Sequence, residues 1–323
     1  MKTTDSVLKL LEKNTNHLSG QQIADQLKLS RTAIWKAIRS LESAGYKIES
    51  KPHQGYLLLD PPMLSETFIR RNLTTKVPVH FELHDSITST NTRAKELGAL
   101  PATSEPQIIV SDQQTKGYGR YGRAFMSPQQ TGIYLSILLQ NQQEYFDAGL
   151  LTTATATALC RAIEKKLDIK PSIKWVNDVL WHDKKISGIL TEGITDMETG
   201  HLKQIVVGIG IDYLTDPSTY TSEVRQRAGS LRQAVQKKGL SRNAFIGAFL
   251  DEFFKLYPNF NSHDFIADYR KYCSTLGQQV TITRGNETIT GTASDITNSG
   301  ELILDDGQVF SSGEITKIRK TTT

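Results

Sequence analysis

The chain has 323 residues, more than one small core usually holds, so we expect two or three domains. Its net charge of +4 is a mild basic excess, which permits an anionic partner without requiring one. No apolar run is long enough to cross a membrane and the N-terminus lacks a signal peptide's apolar core, so we expect a cytoplasmic protein with no membrane partner. Cys160 and Cys273 lack metal-ligand spacing, and we expect neither a disulfide framework nor a metal site built from side chains.

Residues 1 to about 60 have the pattern of helix, helix, helix and hairpin. Ser19 and Gln22 have the spacing of a capping box at the start of the second helix, and Ser30 can cap the third. One side of the third helix is apolar, with Ala33, Ile34, Ala37, Ile38 and Leu41. These signals predict a small helical unit whose third helix turns a polar side outward.

That outward side is basic, and the hairpin after it has a basic turn between Lys51 and Gly55. Two helices joined by "KLS", then a hairpin, resemble a winged helix-turn-helix DNA-binding domain. On that resemblance we expect DNA contacts from Arg31, Thr32, Trp35, Lys36, Arg39, Lys51 and His53. The alternative is a helical docking module whose charged face is merely solvated.

After the prolines at 61 and 62, a plausible linker, strand-like runs alternate with helices. The strand-like runs are QIIVSD, GIYLSILLQ, VLWHD, ISGILTEG and QIVVGIGIDY. An Ala/Leu-rich stretch at 148–167 is typical of a helix, so we expect a mixed α/β or α+β domain of catalytic size. Short strands and turns follow from about residue 277. The predicted domains are 1–62, 63–275 and 276–323.

The stretch "KGYGRYGR", residues 116–123, lies between two of the predicted strands. Its glycines let backbone N–H groups approach a ligand, and the guanidinium groups of Arg120 and Arg123 suit phosphate or carboxylate. It is neither a P-loop nor a dinucleotide fingerprint, because no GK[ST] follows and no helix opens directly after it. Taken alone, a flexible surface loop with incidental arginines is the alternative.

Two further segments carry polar groups suited to a binding site. DSITSTN, residues 85–91, has hydroxyls and an amide that could bind a neutral polar headgroup, and a helix-capping turn is the alternative. The run IKWVNDVLWHDKKISGIL arranges four charged or polar residues around a strand-turn-strand, namely Lys174, Asn177, Asp178 and Lys185.

The order of "STN", "QQ..G.GR.GR", "KW.ND", "KxxG" and "GIGI" resembles that of the biotin-protein ligases, over essentially the whole chain. The resemblance implies an α+β multidomain protein with the winged helix-turn-helix, a central mixed α/β ligase domain like that of class II synthetases, and a small C-terminal SH3-like β-barrel. It implies adenylation of biotin by ATP with Mg²⁺, and transfer of biotin to a lysine of a biotin carboxyl carrier protein. The winged helix places the chain beside the bifunctional members, which implies a repressor of biotin-gene operator DNA and a ligand-promoted homodimer.

The family's pattern assigns three groups of residues in the ligase domain. The cations expected to act in catalysis are Lys185, Arg120 and Lys174. The residues expected to contact biotin are Ser89, Thr90, Asn91, Gln114, Gly117, Tyr118, Arg120, Lys185 and Gly188. Those expected at ATP and the adenylate are Arg120, Arg123, Phe125, Lys174, Asn177, Lys185 and Asp212.

Five positions depart from the family's pattern. Tyr118 replaces an arginine, Phe125 a tryptophan, Val176 a proline, Asp212 an asparagine and Gly229 a common threonine. Asp212 is expected to be an acceptor-only group where asparagine can also donate. These departures motivate a second hypothesis, a biotin-sensing transcription factor with weak ligase activity. A lipoate-type ligase is a third, against which the winged helix, the barrel and the two-arginine loop argue.

Overall fold

The computed structural model describes residues 3–100, 103–141, 146–196, 199–284 and 287–317. The chain forms two compact units. The first comprises the chain up to Asn72 together with Ser241–Gly247, and the second comprises Leu73–Leu240 and the chain from Ala248 onward. Within the described ranges, no helix is both long enough and apolar enough to span a membrane.

The first unit contains the predicted helices and hairpin. Its elements are α1 (Thr3–Lys13), α2 (Gly20–Leu27), α3 (Arg31–Ser43), β1 (Lys47–Lys51), β2 (Gly55–Asp60) and α4 (Glu66–Arg71). The predicted capping box is confirmed, because Ser19 Oγ accepts from Gln22 N at 3.1 Å and Gln22 Oε1 accepts from Ser19 N at 2.7 Å. Ser30 caps α3 in the same way, with its Oγ accepting from Ala33 N at 3.2 Å.

The core of the first unit brings together one apolar face from each of the first three helices. Its largest fully buried members in the helices α1–α4 are Leu11, Ile23, Ile34, Ile38 and Phe68. Phe68 belongs to α4, which follows the predicted boundary at residue 62. The compact unit therefore runs on to Asn72, and the domain boundaries given above stay predictions.

The second unit is built on a seven-stranded sheet with the order β3-β4-β5-β9-β8-β7-β6. Its strands and first helices are β3 (His80–His84), α5 (Thr90–Gly98), β4 (Gln107–Ser111), β5 (Ile133–Gln140), α6 (Ala148–Leu167), β6 (Ser172–Lys174), β7 (Asp178–Trp181), β8 (Lys184–Thr195) and β9 (Leu202–Ile211). The later helices are α7 (Ser222–Arg227), α8 (Arg232–Lys238), α9 (Arg242–Leu256), whose residues up to Gly247 are counted in the first unit, and α10 (Ile266–Tyr272). Among the described strands of this sheet, β3 and β4 form the one parallel pair, and every strand predicted here is confirmed.

Helix α5 lies against the middle of this sheet. Ala94 on the helix packs in one buried cluster with Ile109 of β4, Leu138 of β5 and Val206 of β9. Because that contact fixes the helix, the residues of its first turn are held over the same strands. The polar segment predicted before the helix is therefore next to the sheet.

The chain ends in the predicted set of short strands. They are β10 (Gln279–Arg284), β11 (Glu287–Ile296), β12 (Leu302–Leu304), β13 (Val309–Phe310) and β14 (Glu314–Lys317). They form an antiparallel sheet of five strands with the order β13-β12-β11-β10-β14. Trp175 links this sheet to the larger one, since its Nε1 donates to Gly300 O at 2.9 Å.

Candidate functional site

A cluster of polar side chains lies where α5 begins. Ser89 is the N-cap of the helix, and Thr90 and Asn91 after it are buried. Gln114 Oε1 accepts hydrogen bonds from Thr90 N at 2.8 Å and Thr90 Oγ1 at 3.1 Å. Ser136 Oγ, on β5, lies 2.8 Å from Thr90 Oγ1 and 2.5 Å from Asn91 Oδ1. The helix-capping turn considered above is confirmed, and it also brings these polar side chains together.

Two glycines of the predicted "GIGI" run leave room for these side chains on β9. A Cβ atom at Gly208 would lie 2.1 Å from Asn91 Oδ1. A Cβ atom at Gly210 would lie 2.5 Å from Cε1 of Phe125. Both positions therefore need glycine, because the neighbouring side chain already occupies the space.

Backbone hydrogen bonds close the glycine-arginine loop on itself. Phe125 N donates to Gly117 O at 2.9 Å, and Gly119 N donates to Arg123 O at 2.8 Å. The tip is a short 3₁₀ turn at Arg120–Gly122. Gly117 is buried at the base of this hairpin-like loop.

The three cations expected to act in catalysis lie around the start of β7. Arg120 Nη1 donates to Asn177 Oδ1 at 3.0 Å, which brings the loop to the turn between β6 and β7. Lys185 Nζ forms an ion pair of 2.6 Å with Asp178 Oδ1. Lys174 is opposite Asp178 in the pairing of β6 with β7. This arrangement offers an anion several positive charges from three different segments.

The remaining loop arginine is engaged by the C-terminal sheet. Arg123 donates from Nη1 and Nη2 to the two carboxylate oxygens of Glu314, at 2.8 Å and 2.6 Å. These hydrogen bonds lower the pKa of the Glu314 carboxyl below its usual range. Arg120 Nη2 also lies 3.4 Å from Gly313 O. The strand β14 therefore contributes to the site.

Asp212 corrects one expectation drawn from the sequence. Its carboxyl is buried, and burial raises the pKa of Asp212 from 3.8 to about 7, although the Tyr220 hydroxyl and the charge of Lys185 oppose the shift. The Tyr220 hydroxyl donates to Asp212 Oδ1. Near neutral pH the carboxyl is therefore protonated for much of the time and can donate, so it is not the acceptor-only group expected in place of asparagine.

The structure explains two of the other departures from the family's pattern. Gly229 N donates to Lys185 O at 2.7 Å, and a Cβ atom at Gly229 would lie 2.6 Å from Lys184 Cβ, which leaves no space for threonine. The Tyr118 hydroxyl lies 3.1 Å from the Glu192 carboxylate. Val176 is buried beside Trp175, and nothing in the structure explains the choice of valine there.

Phe125 and Gly188 lie where the larger sheet meets the loop. The Phe125 ring contacts Tyr134 edge to face, with 6.4 Å between the ring centroids. Gly188 pairs with Gly210 across β8 and β9, and a Cβ atom on it would lie 3.0 Å from Lys185 Nζ. The aromatic ring and the lysine therefore lie over neighbouring glycines of two adjacent strands.

Four side chains of this site were not predicted. Ser136 is a polar residue within the apolar run of β5, and that contrast was a usable signal. Glu192 lies among mixed polar and apolar residues of β8, where nothing marks it. Tyr220 and Glu314 reach the site from distant parts of the sequence, and no local pattern marks them.

The basic face predicted in the first unit is exposed. All seven residues expected to contact DNA are exposed, namely Arg31, Thr32, Trp35, Lys36, Arg39, Lys51 and His53. A groove of about 460 Å³ lies between α3 and the turn, with Trp35 and Lys51 among the residues that line it. An indole that is 54% exposed stabilises no core, so Trp35 is free to contact a partner.

Three family models match the chain: the biotin/lipoate A/B protein ligase family at residues 83–212, an HTH domain at 3–57 and the biotin protein ligase C-terminal domain at 275–317. The bifunctional ligase/repressor BirA of Bacillus subtilis (strain 168) is 35% identical over 293 residues, which are 89% of each chain. That of Escherichia coli (strain K12) is 28% identical and covers 94% of each chain. The solved biotin protein ligase of Aquifex aeolicus in complex with biotin and ATP is 25% identical, with a TM-score of 0.60, and covers 75% of this chain and 99% of that chain.

Proposed function

The chain belongs to the family of bifunctional biotin protein ligases and repressors, and from this premise we propose which of its groups bind biotin, ATP and DNA. The protein uses ATP to activate biotin and attaches biotin to an acceptor protein. The observation that carries our site assignment is the hydrogen bond from Arg120 to Asn177, because it draws the loop to the corner where Lys174 and Lys185 lie. The acceptor group is a lysine of a biotin carboxyl carrier protein.

The reaction needs positive charge at one place. A carboxylate does not acylate an amine at neutral pH, because oxide would have to leave. The biotin carboxylate instead attacks the α-phosphorus of ATP, pyrophosphate leaves, and the acceptor lysine then attacks the acyl carbon while AMP leaves. Lys185 and Arg120 stabilise the charge that develops when the two anions meet, and Lys174 is the second lysine beside them.

The metal enters with the nucleotide in this proposal. Among the described residues, no group of three His, Cys, Asp or Glu side chains could hold an ion. Mg²⁺ on the ATP phosphates would neutralise the leaving pyrophosphate. The chain itself then binds the phosphates through its lysine and arginine side chains.

Biotin binds with its headgroup at the polar cluster that begins α5. Ser89, Thr90, Asn91 and Gln114 offer donors and acceptors without a net charge, which suits a neutral ureido ring. Gly117, Tyr118 and Gly188 would contact the rest of biotin from the loop and β8. The adenine ring packs on Phe125, and Asn177, Asp212 and Arg123 lie at the nucleotide.

The direct test follows pyrophosphate release from biotin and Mg-ATP, with and without a biotin acceptor domain. We expect turnover only when the acceptor is present, together with biotin's mass on its lysine. Tight biotin binding without pyrophosphate release would instead favour the sensor with weak ligase activity. In that case Tyr118→Arg restores the usual loop arginine. A large gain in turnover would show that the chain is a ligase whose catalysis has been weakened at this position.

Gly208→Ala on β9 should weaken biotin binding, because the new Cβ would displace the Asn91 amide of α5 that packs against this strand. We expect the KM for biotin to rise roughly tenfold, which corresponds to about 1.4 kcal/mol. Gly193→Ala on β8 is the control, since a Cβ there would meet mainly the flexible tip of Leu202. Equal KM values for the two variants would contradict the position assigned to Asn91.

The first unit is the DNA-binding domain of the repressor. We propose that the α3 face enters a major groove, that Lys51 and His53 of the hairpin turn contact the backbone, and that a biotin-promoted homodimer recognises two half-sites of the biotin-gene operator. Support comes from the exposed basic face and from the match to an HTH domain. A gel shift with the biotin-gene promoter against scrambled DNA tests this, and equal binding of both would remove the repressor proposal.

Arg39→Ala should weaken promoter binding roughly tenfold, in the range for one lost arginine contact. The Arg39 side chain is 66% exposed and its pairing with Glu42 leaves it accessible. Arg70→Ala removes a comparable surface arginine, paired with Glu66 on α4, and should bind the promoter like the wild type. A result in which Arg70→Ala weakens binding as much as Arg39→Ala would mean that only net charge matters.

A further inference from the structure

The carboxylate of Glu192, on β8, contacts two residues of α5 that are one helical turn apart. Its Oε2 accepts from Asn91 Nδ2 at 2.7 Å, and its Oε1 forms an ion pair of 2.5 Å with Lys95 Nζ. Residues four positions apart lie on the same side of a helix, so one carboxylate reaches both of them. Glu192 therefore attaches the start of α5, which carries the proposed headgroup site, to the sheet.

The carboxylate also determines which way round the Asn91 amide lies. A carboxylate only accepts hydrogen bonds, so the NH2 group of Asn91 faces Glu192 and the amide oxygen faces away from it. That oxygen lies 2.5 Å from Ser136 Oγ on β5. Since an amide oxygen also only accepts, the single proton of the Ser136 hydroxyl goes to Asn91.

The direction of the Ser136 proton sets what Thr90 offers to a ligand. Ser136 Oγ lies 2.8 Å from Thr90 Oγ1, and it can only accept there because its proton is used at Asn91. Gln114 Oε1, 3.1 Å from the same hydroxyl, also accepts. The Thr90 oxygen therefore receives no proton from either neighbour, and its lone pairs remain for a ligand. With Asn91 turned round, Ser136 would donate to Thr90 and use part of that capacity.

A hydroxyl that can accept suits a ring with N–H groups, which the ureido ring of biotin has and the dithiolane ring of lipoate lacks. We propose that Glu192 is a positioning residue for the biotin headgroup, which fixes the Asn91 amide and so keeps Thr90 available to a ureido N–H. This inference rests on the proposed binding of biotin at the start of α5. The side chains that connect Glu192 to Thr90 belong to α5 and β5, and neither lies in the glycine-arginine loop.

Glu192→Gln tests this role without changing the shape of the side chain. The Lys95 ammonium attracts the oxygen of the new amide, so the new NH2 group faces Asn91 and turns the Asn91 amide round. Calorimetry without ATP should then show biotin binding roughly fivefold more weakly than to the wild type, the equivalent of about 1 kcal/mol. The kcat of pyrophosphate release at saturating biotin should stay within about twofold, because Glu192 is assigned no contact with the reacting groups.

Removing the attraction from Lys95 should reverse the effect. In the double variant Lys95→Met, Glu192→Gln the new amide is free to accept from Asn91, and most of the lost biotin affinity should return. Lys95→Met alone breaks the ion pair but leaves the carboxylate, so it should bind biotin within about twofold of the wild type. If Glu192 were only a structural anchor, the double variant would bind no better than Glu192→Gln, and that result would overturn the positioning role.

A Ser136→Ala background shows which neighbour transmits the effect, because Glu192 also contacts Tyr118 Oη at 3.1 Å. Without the Ser136 proton, the orientation of Asn91 no longer changes what Thr90 offers. Adding Glu192→Gln to Ser136→Ala should therefore weaken biotin binding by less than about twofold. A full fivefold loss in that background would mean that Glu192 acts through Tyr118, which contradicts the proposal.

Thr191→Val is the matched control on the opposite face of β8. Thr191 Oγ1 lies 2.7 Å from Thr152 Oγ1 on α6, so the variant also loses one hydrogen bond between this strand and a helix. It should bind biotin like the wild type. Weakening as large as that of Glu192→Gln would show a general effect on the sheet and would overturn the proposal.

Binding measured by calorimetry does not depend on turnover. If the wild type bound biotin but released no pyrophosphate, the proposed function would fail while the role of Glu192 could still be judged. If the wild type released pyrophosphate and Glu192→Gln bound biotin as tightly as the wild type, the positioning role would fail while the proposed function stood.

Discussion

Lys185→Ala is expected to lower the kcat/KM for biotin adenylation roughly 100- to 1,000-fold, as for the loss of one preorganised charge at a reaction centre. The Lys185 ammonium forms its ion pair with Asp178 at the corner that Arg120 reaches. Removing it takes away positive charge and leaves the Asp178 carboxylate beside the incoming phosphate. Pyrophosphate release at several biotin and ATP concentrations gives the change.

Lys184→Ala is the matched control for this prediction. The neighbouring lysine donates from Nζ to the backbone carbonyl of Gln226, so it connects β8 to the helix α7 and has no assigned role in the reaction. We expect adenylation within about twofold of the wild type. An equally active Lys185→Ala enzyme would show that the reacting carboxylate and phosphate lie elsewhere.

Asp212→Asn is expected to stabilise the second unit at about pH 8 and much less at about pH 5. Because burial raises the pKa of Asp212 from 3.8 to about 7, folding takes up a proton. The free energy of unfolding therefore falls as the pH rises from about 4 to about 7, and it is level above that range, with a total on the order of 4 kcal/mol. Asparagine is neutral throughout and avoids this loss.

Thermal unfolding measures the difference. The Tm of Asp212→Asn should exceed that of the wild type by roughly 4 °C or more at about pH 8, and the gap should narrow at about pH 5. Tyr220→Phe removes a hydrogen bond that lowers the pKa of Asp212, so the pH range of the loss should move upward in that variant. A gap of the same size at both pH values would show that Asp212 does not titrate in this range.

Local features of the fold were predictable because their causes are local. Ser19 and Ser30 start their helices through hydrogen bonds to residues three positions away, and the apolar runs of the central strands are self-evident in the sequence. The order of the motifs predicted that Arg120, Asn177 and Lys185 belong to one site. It did not predict which of these side chains contact each other. Their distances came from the pairing of strands, which no local pattern determines.

Contacts between distant segments account for what was not predicted. Arg123 and Glu314 are separated by 191 positions, and Tyr118 and Glu192 by 74. The change in the chemistry of Asp212 has a similar origin, because it depends on how deeply the folded chain covers the carboxyl. The type of each residue indicated which interactions it could form. Which residue became its partner was determined by how the folded chain packs.

On the proposed assignment of Arg123 to the nucleotide, its bidentate pair with Glu314 makes nucleotide binding an exchange of anions. The guanidinium group is already neutralised by a carboxylate, so a phosphate at Arg123 has to displace Glu314 rather than meet a bare charge. Dissolved salt weakens the outgoing contact and the incoming one alike, and this arginine should therefore add little to the ionic-strength dependence of ATP affinity. The backbone of β14 stays paired with β10 when the carboxylate is released, so the proposed nucleotide site reaches the C-terminal sheet through the Glu314 side chain.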